Sequence, residues 1–415
     1  MKLINIKFNK PERWFIYMTE NNSTTWLLSP DLILTESTDE DGEKVFKRDD
    51  IILKKEDDTG NTDMYDFQIR IKELVSQFVN RSFEKIILLA GSGSSVTGDQ
   101  NNVLGKTMAD LVSSVISELE SNSSYFNIEE ICIMIKYPFF HQEGKVDSSR
   151  INLENLLSTI YRFEPFVLVK KEKKYQRTKK RILEVIKNET SYDYDQELLK
   201  HTSVINSLSN RVKAPYKLSV VTTNYDTMFE QAADEIDYTV IDGFTHSLDP
   251  YFNADEFEWN LVKNISNVKT KELEYRPNTI DLLKIHGSLT WEREENKIFR
   301  RTKNIVDKPI LIFPSSNKYA QSYEEPYFDL FAKFQELLSK NNTLLITTGF
   351  SFGDSHITTM VERAVKRNQG ICMLVTDFNI DQNGEGWQTI KKLTDSKFPV
   401  LFLKASFNNL PDYLG

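Results

Sequence analysis

From residue 85 onward, short unbroken apolar runs alternate with segments of helical spacing. Ile86–Ala90, the strand in 217–225, Leu282–Ile285, Thr343–Thr348, Ile371–Val375 and Val400–Leu403 read as strands. Such runs suit strands covered on both faces. The runs Ile131–Ile135, Tyr238–Ile241 and Ile310–Phe313 read as strands too, Ile131–Ile135 being the second buried one. Helical spacing predicts helices over 66–83, Leu111–Leu119, Pro326–Leu338, Ile357–Arg367 and Trp387–Leu393, with another from Asp226 to Ala233. Strands alternating with helices argue for an α/β fold with a parallel, Rossmann-like sheet.

Two stretches break the alternation. Residues 1–65 carry short strand-like runs at Ile4–Phe8, Trp14–Met18, Trp26–Leu28 and Ile51–Leu53. Acidic turns such as Ser37–Glu43 separate them. This predicts a small β-rich N-terminal extension, a cap or assembly surface, ahead of a domain over 66–415. Residues 148–214 are rich in helical spacing and poor in turn signals, which predicts a helical insertion over the sheet. Within it, eight of the twelve residues Lys170–Arg181 are Lys or Arg. The plain reading is a solvated helix face, and the sharper one a patch for nucleic acid or an acidic partner.

Four polar segments follow directly after strands: Gly91–Ser95, Thr222–Asp226, His286–Ser288 and Gly349–His356. In open α/β sheets ligands bind beyond the carboxyl ends of the strands, so these four are expected to share one crevice. Gly91-Ser92-Gly93-Ser94-Ser95 lets the backbone turn sharply and approach a ligand closely, and a helix start just beyond it offers N–H groups to a phosphate. The plain alternative is a tight turn without a ligand. Val96 stands where a dinucleotide fingerprint has its third glycine, and the run ending in Lys136-Tyr137 lacks the acidic residue that holds a ribose. An ordinary dehydrogenase is disfavoured. Thr223-Asn224-Tyr225-Asp226 puts an amide and a carboxylate at a strand tip, suited to sugar hydroxyls or a positioned water. Alternatively Asn224 and Asp226 only cap the next helix. His286 is one of five histidines. At a strand end it is a general-base candidate, against the plain reading of a hydrogen-bonded core histidine. Gly349-Phe350-Ser351-Phe352-Gly353-Asp354 is a second Gly/Ser loop before a helix, suited to the other end of a dinucleotide or to a plain turn capped by Asp354.

Composition narrows the setting. The 415 residues are 40% hydrophobic and 27% charged, ordinary for a globular protein. No apolar stretch approaches the roughly 20 residues that span a bilayer, so no membrane is implied. The net charge of −9 gives no support to broad nucleic-acid binding. The two cysteines, Cys132 and Cys372, each sit in an apolar run and cannot form a Cys-x-x-Cys zinc site. No metal is implied, and a reducing cytoplasmic setting fits.

Taken together, Gly91-Ser-Gly93-Ser-Ser95, Thr222-Thr-Asn224-Tyr-Asp226, Lys284-Ile-His286-Gly287-Ser288 and Gly349-Phe-Ser351-Phe-Gly-Asp354 resemble the sirtuin-like family, specifically its bacterial NAD-hydrolase branch in anti-phage defence. The resemblance covers about 85–375. It departs at Ser92, where the family usually has Ala. Deacetylating sirtuins carry a four-cysteine zinc module, which two cysteines cannot build. The resemblance implies hydrolysis of NAD+ to nicotinamide and ADP-ribose. It implies that Gly91, Gly93 and Ser94 cradle the pyrophosphate, that Asn224 and Asp226 hold the nicotinamide ribose and a water, that His286 is the general base, and that Ser351 meets the adenosine ribose. It further implies depletion of host NAD+ in abortive infection, and control by a homo-oligomer or by a defence partner such as a HerA-type ATPase. The competing readings are an NAD or ADP-ribose sensor without turnover and a protein deacylase.

Overall fold

The computed structural model describes residues 23–55, 60–97, 104–138, 141–142, 145–265, 273–301, 306, 309–311 and 326–414. The expected strands at Ile4–Phe8 and Trp14–Met18 lie outside them, as do Gly98, Val103 and Phe313.

Its centre is an eleven-stranded sheet. In chain order the strands are β1 (Thr24–Leu28), β2 (Ile33–Thr38), β3 (Lys44–Arg48), β4 (Ile51–Ile52), β5 (Lys85–Ala90), β6 (Leu218–Thr222), β7 (Thr239–Ile241), β8 (Thr279–Lys284), β9 (Thr343–Thr348), β10 (Ile371–Asp377) and β11 (Val400–Lys404). They lie in the order β4-β3-β2-β1-β11-β10-β9-β5-β6-β8-β7. From β11 to β7 every pairing is parallel. The four N-terminal strands form an antiparallel meander that joins the sheet through β1 and β11. The protein is thus a mixed α/β fold with a mostly parallel, Rossmann-like sheet and a β-rich N-terminus.

Alternation along the strands assigns the faces. Ile86, Leu88 and Ala90 of β5 face one apolar core with α1 (Met64–Val79), α6 (His201–Ser209) and α7 (Met228–Glu235). Ile87 and Leu89 face the opposite core with α8 (Tyr327–Ser339), α9 (Ser355–Arg367) and α10 (Glu385–Asp395). Leu27, Leu34 and Phe46 of the meander join the first core, where Phe46 stacks on Phe67 of α1 with centroids 4.5 Å apart.

A third apolar cluster is helical. It joins α2 (Met108–Glu120), α3 (Ile128–Met134), α4 (Leu153–Phe163) and α5 (Val169–Thr190). Residues 148–214 are largely helical, but the expected bounds do not follow the packing: α6 belongs to the first core, and α2 and α3, ahead of residue 148, complete the helical cluster. The expected strand at Ile131–Ile135 is instead part of α3. Asn127 caps the Glu130 N–H, and the Glu130 carboxylate reaches back to the Asn127 N–H, a reciprocal capping box. Ile128, Ile131 and Cys132 then fall on one buried helical face. Ile310–Leu311 is extended but pairs with Gly287–Ser288 outside the central sheet. On α5, Lys179 pairs with Glu164, and Arg181 with Glu118 and Glu184. No helix of the described residues is long and apolar enough to cross a membrane.

Candidate functional site

The chain leaves β5 for β6 on one side and returns to β9 on the other, so β5 marks the point where strand order reverses. Ligand crevices in such sheets open at that point, beyond the carboxyl ends. The parallel ladder continues past the strand ends and fixes the tips in register. Thr223 N–H donates to Ala90 at 3.2 Å, Gly91 N–H to Thr348 at 3.1 Å, and Ile285 N–H to Thr222 at 3.0 Å.

A cavity of about 510 Å³ lies over these tips. That volume suits a small-molecule ligand. Ser92, Ser95, Thr223, Asn224, Tyr225, Asp226, His286, Gly349, Ser351 and Asp354 all line it. The four polar segments therefore meet at one place.

Gly91, Gly93 and Ser94 are not among the lining residues. They sit one layer below, against the second Gly/Ser loop. A Cβ on Gly91 would stand 2.5 Å from the Gly349 carbonyl oxygen, and one on Gly93 would stand 2.8 Å from Gly349 Cα. Gly349 has φ +56°, and its own Cβ would meet Ser94 N at 2.5 Å. These glycines permit two backbone loops to touch. Gly93 N–H donates to Gly349 O at 3.0 Å and Ser94 N–H to Gly91 O at 2.9 Å. With Gly91 bound to Thr348, the N–H groups expected to cradle a phosphate already have protein acceptors.

Asn224 locks the first loop to the second segment. It is 7% exposed, and its Nδ2 donates to Gly91 O at 3.0 Å, Ser94 Oγ at 3.2 Å and Ser95 Oγ at 2.8 Å. The Gly91 carbonyl only accepts, so the amide nitrogen must face it and Oδ1 is the atom left for the cavity. Ser95 in turn hydrogen-bonds the Asp226 carboxylate. Burial pushes the Asp226 carboxyl above its ordinary range, while Lys284 and the Ser95 bond pull it back. Lys284 is buried beneath the site, bonded to the Asp226 carbonyl and paired with Glu230 at 3.0 Å. Asp226 Oδ1 also accepts from Met228 N–H at 3.1 Å, so it steadies the start of α7 as its sequence position suggests.

His286 sits two residues beyond β8 and is 3% exposed. Its Nε2 lies 3.1 Å from Asp354 Oδ2. The other Asp354 oxygen caps α9, accepting from His356 N–H at 2.8 Å and Ile357 N–H at 3.2 Å. A carboxylate only accepts, so Nε2 carries the proton and Nδ1 is the basic nitrogen. Nδ1 makes no hydrogen bond among the described residues, and Glu154 Oε1 lies 3.8 Å from it.

Glu154 has no mark in the sequence as a site residue. It comes from the first turn of α4, far from His286 along the chain, and also meets the Tyr225 hydroxyl at 3.2 Å. Burial, then the Glu154 charge, pushes the Tyr225 phenol well up. Asn155, Thr159 and Arg162 line the cavity from the same helix, and Lys106 lines it from just before α2. The insertion is thus a wall of the site. The sequence shows α4 as an amphipathic helix, but its polar face of Glu154, Asn155, Thr159 and Arg162 looks like that of any solvated helix.

Residues 218–398 match the family model described as SIR2-like domain. The match supports a sirtuin-like family and fits NAD-dependent activity in general. It holds three of the four site segments and begins after the Gly91–Ser95 loop. No curated protein matches the chain.

Proposed function

We propose that the protein is an NAD+ glycohydrolase that cleaves the nicotinamide–ribose bond with water. The observation that carries this reading is the charge pattern around His286. Glu154, Asp226 and Asp354 all line one cavity with it. Three carboxylates complement a cationic pyridinium. They complement still better the oxocarbenium-like state that forms as the bond breaks.

The C1′–N bond breaks and its electron pair passes to the ring nitrogen, so nicotinamide leaves neutral and needs no acid. Water adds to C1′ and gives up a proton. His286 is the acceptor, through the Nδ1 that Asp354 leaves free for the purpose. Asn224 Oδ1 and Asp226 hold the ribose hydroxyls or the water. Ser351, on the β9 loop, meets the adenosine ribose. The products are nicotinamide, ADP-ribose and one proton. Holding the reactants together supplies much of the rate, since the leaving group is already activated.

Two cysteines cannot build the zinc module of the deacetylating relatives, which favours hydrolysis over deacylation. The resemblance to the defence branch extends the reading to NAD+ depletion during phage infection, in an assembly of copies or with a HerA-type partner. The test is nicotinamide release with and without an acyl-lysine peptide. The hydrolase releases it from NAD+ and water alone. Release that depends on the peptide shows a deacylase instead.

A further inference from the structure

We propose that Arg162 of α4, together with Lys106, binds the diphosphate of the substrate, an inference that rests on the NAD+ reading above. Three N–H groups of the loop expected to do so already have protein acceptors, which leaves it Ser92 and Ser95 at the cavity wall and no cation. The N–H groups of Gly91, Gly93 and Ser94 donate to Thr348, Gly349 and Gly91 at 3.1, 3.0 and 2.9 Å. The cavity's carboxylates would repel an anion. A diphosphate carrying two charges therefore needs cations from elsewhere on the wall.

Among the described lining residues, those cations are Lys106 and Arg162. Among the described residues neither is held firmly by an acid. Lys106 stands 4.0 Å from Glu189, and both side chains are over a third exposed. Such a pair is worth little. Arg162 donates from Nη2 to Thr159 Oγ1 at 3.3 Å, and no carboxylate among the described residues pairs with it. Its planar fork matches two phosphate oxygens, which a point charge does not.

The spacing along α4 separates the two ends of the substrate. Glu154 sits at the His286 end, and Arg162 follows eight residues later, about 12 Å along the axis. A ligand with a cationic head and an anionic middle fits that polarity in one direction only. The insertion then reads the substrate as well as roofing it: one turn of α4 faces the reacting carbon and another faces the diphosphate.

The experiment is calorimetric titration of the full chain with ADP-ribose and with nicotinamide riboside, which keeps the cationic head and lacks the diphosphate. The double variant Arg162→Gln, Lys106→Gln is expected to bind ADP-ribose at least about tenfold more weakly. It should bind nicotinamide riboside as the wild type does, with an unchanged melting temperature. Arg162→Lys should restore part of the loss, and in turnover the KM for NAD+ should rise while kcat holds. Wild-type affinity for ADP-ribose in the double variant overturns the inference and leaves the proposed function standing. Equal losses for both ligands overturn it too, since they show a structural role. A wild-type chain that binds neither NAD+ nor ADP-ribose overturns the function itself, and this inference with it.

Discussion

Asp354 caps α9 with one oxygen and faces His286 Nε2 with the other, at 3.1 Å. Asparagine can replace the capping half, because its carbonyl oxygen also accepts from His356 and Ile357. It fails in the other half, where its NH₂ group would face Nε2 and force the proton onto Nδ1. Asp354→Asn should therefore melt close to the wild type while nicotinamide release falls by about 10²- to 10⁴-fold. An unchanged rate would show that the tautomer of His286 is irrelevant. Asn224 works differently. Its three donated bonds tie Ser94, Ser95 and Gly91 in place. Truncating it unties the two segments, although Gly91 O keeps the Ser94 N–H and hydroxyl as donors, so the cost is that of the lost bonds, about 0.5–1.5 kcal/mol each. At this scale the candidates were legible because strand tips are short and their polar residues conspicuous. The task of each was less so. Asp354 reads from sequence as a cap or a ribose contact, and only the geometry couples it to His286. Gly91 and Gly93 read as a phosphate cradle, and the structure shows them accommodating Gly349.

At the scale of elements, α4 carries the main addition. Leu153, Leu156, Leu157 and Ile160 bury one side of it in the helical cluster, which leaves Glu154 and Arg162 on the cavity side. Glu154 lies 3.8 Å from the basic nitrogen of His286 and 3.2 Å from the Tyr225 hydroxyl. Glu154→Gln retains the contact with Tyr225 but removes the charge. Nicotinamide release is expected to fall about tenfold with KM little changed. A normal rate would reduce α4 at this end to a lid. Sequence alone did not reach Glu154, since nothing local distinguishes it from any acidic residue in a first helical turn. The misread element, Ile131–Ile135, has the opposite lesson. An apolar run of that length suits strand or helix. Asn127 and Glu130 stand at capping-box spacing just before it and decide for helix. β2 and β3 went unread because their alternation is weak and acidic turns interrupt it.

For the whole molecule, the alternation of strands and helices was enough to expect a parallel sheet, and the reversal of strand order at β5 explains why four distant segments meet. The N-terminal meander joins β11 through β1 alone and shares the core under α1. That pairing depends on partners at the other end of the chain, which no local pattern announces. One buried group lets overall stability be read against pH. Asp377 ends β10, and burial pushes its carboxyl up to about 6 against an ordinary 3.8. The folded chain thus holds a proton that the unfolded chain releases between those values. Stability contributed by the protonated form is present below pH 4 and lost as pH rises through 6, by about 3 kcal/mol. Asp377→Asn keeps an acceptor for the Asn379 N–H and removes the charge. It should raise the melting temperature at pH 7.5 and have little effect at pH 4; equal shifts at both would show that the charge is not the cause.

The central claim is that the cavity around His286 splits NAD+ with water. The direct measurement is chromatography of NAD+ incubated with the purified chain and with His286→Ala, with NAD+ binding checked in both. The wild type should yield nicotinamide and ADP-ribose in equal amounts without a peptide, and the variant should bind NAD+ and yield neither. Equal turnover by the two, or NAD+ bound and left intact by the wild type, would contradict the account.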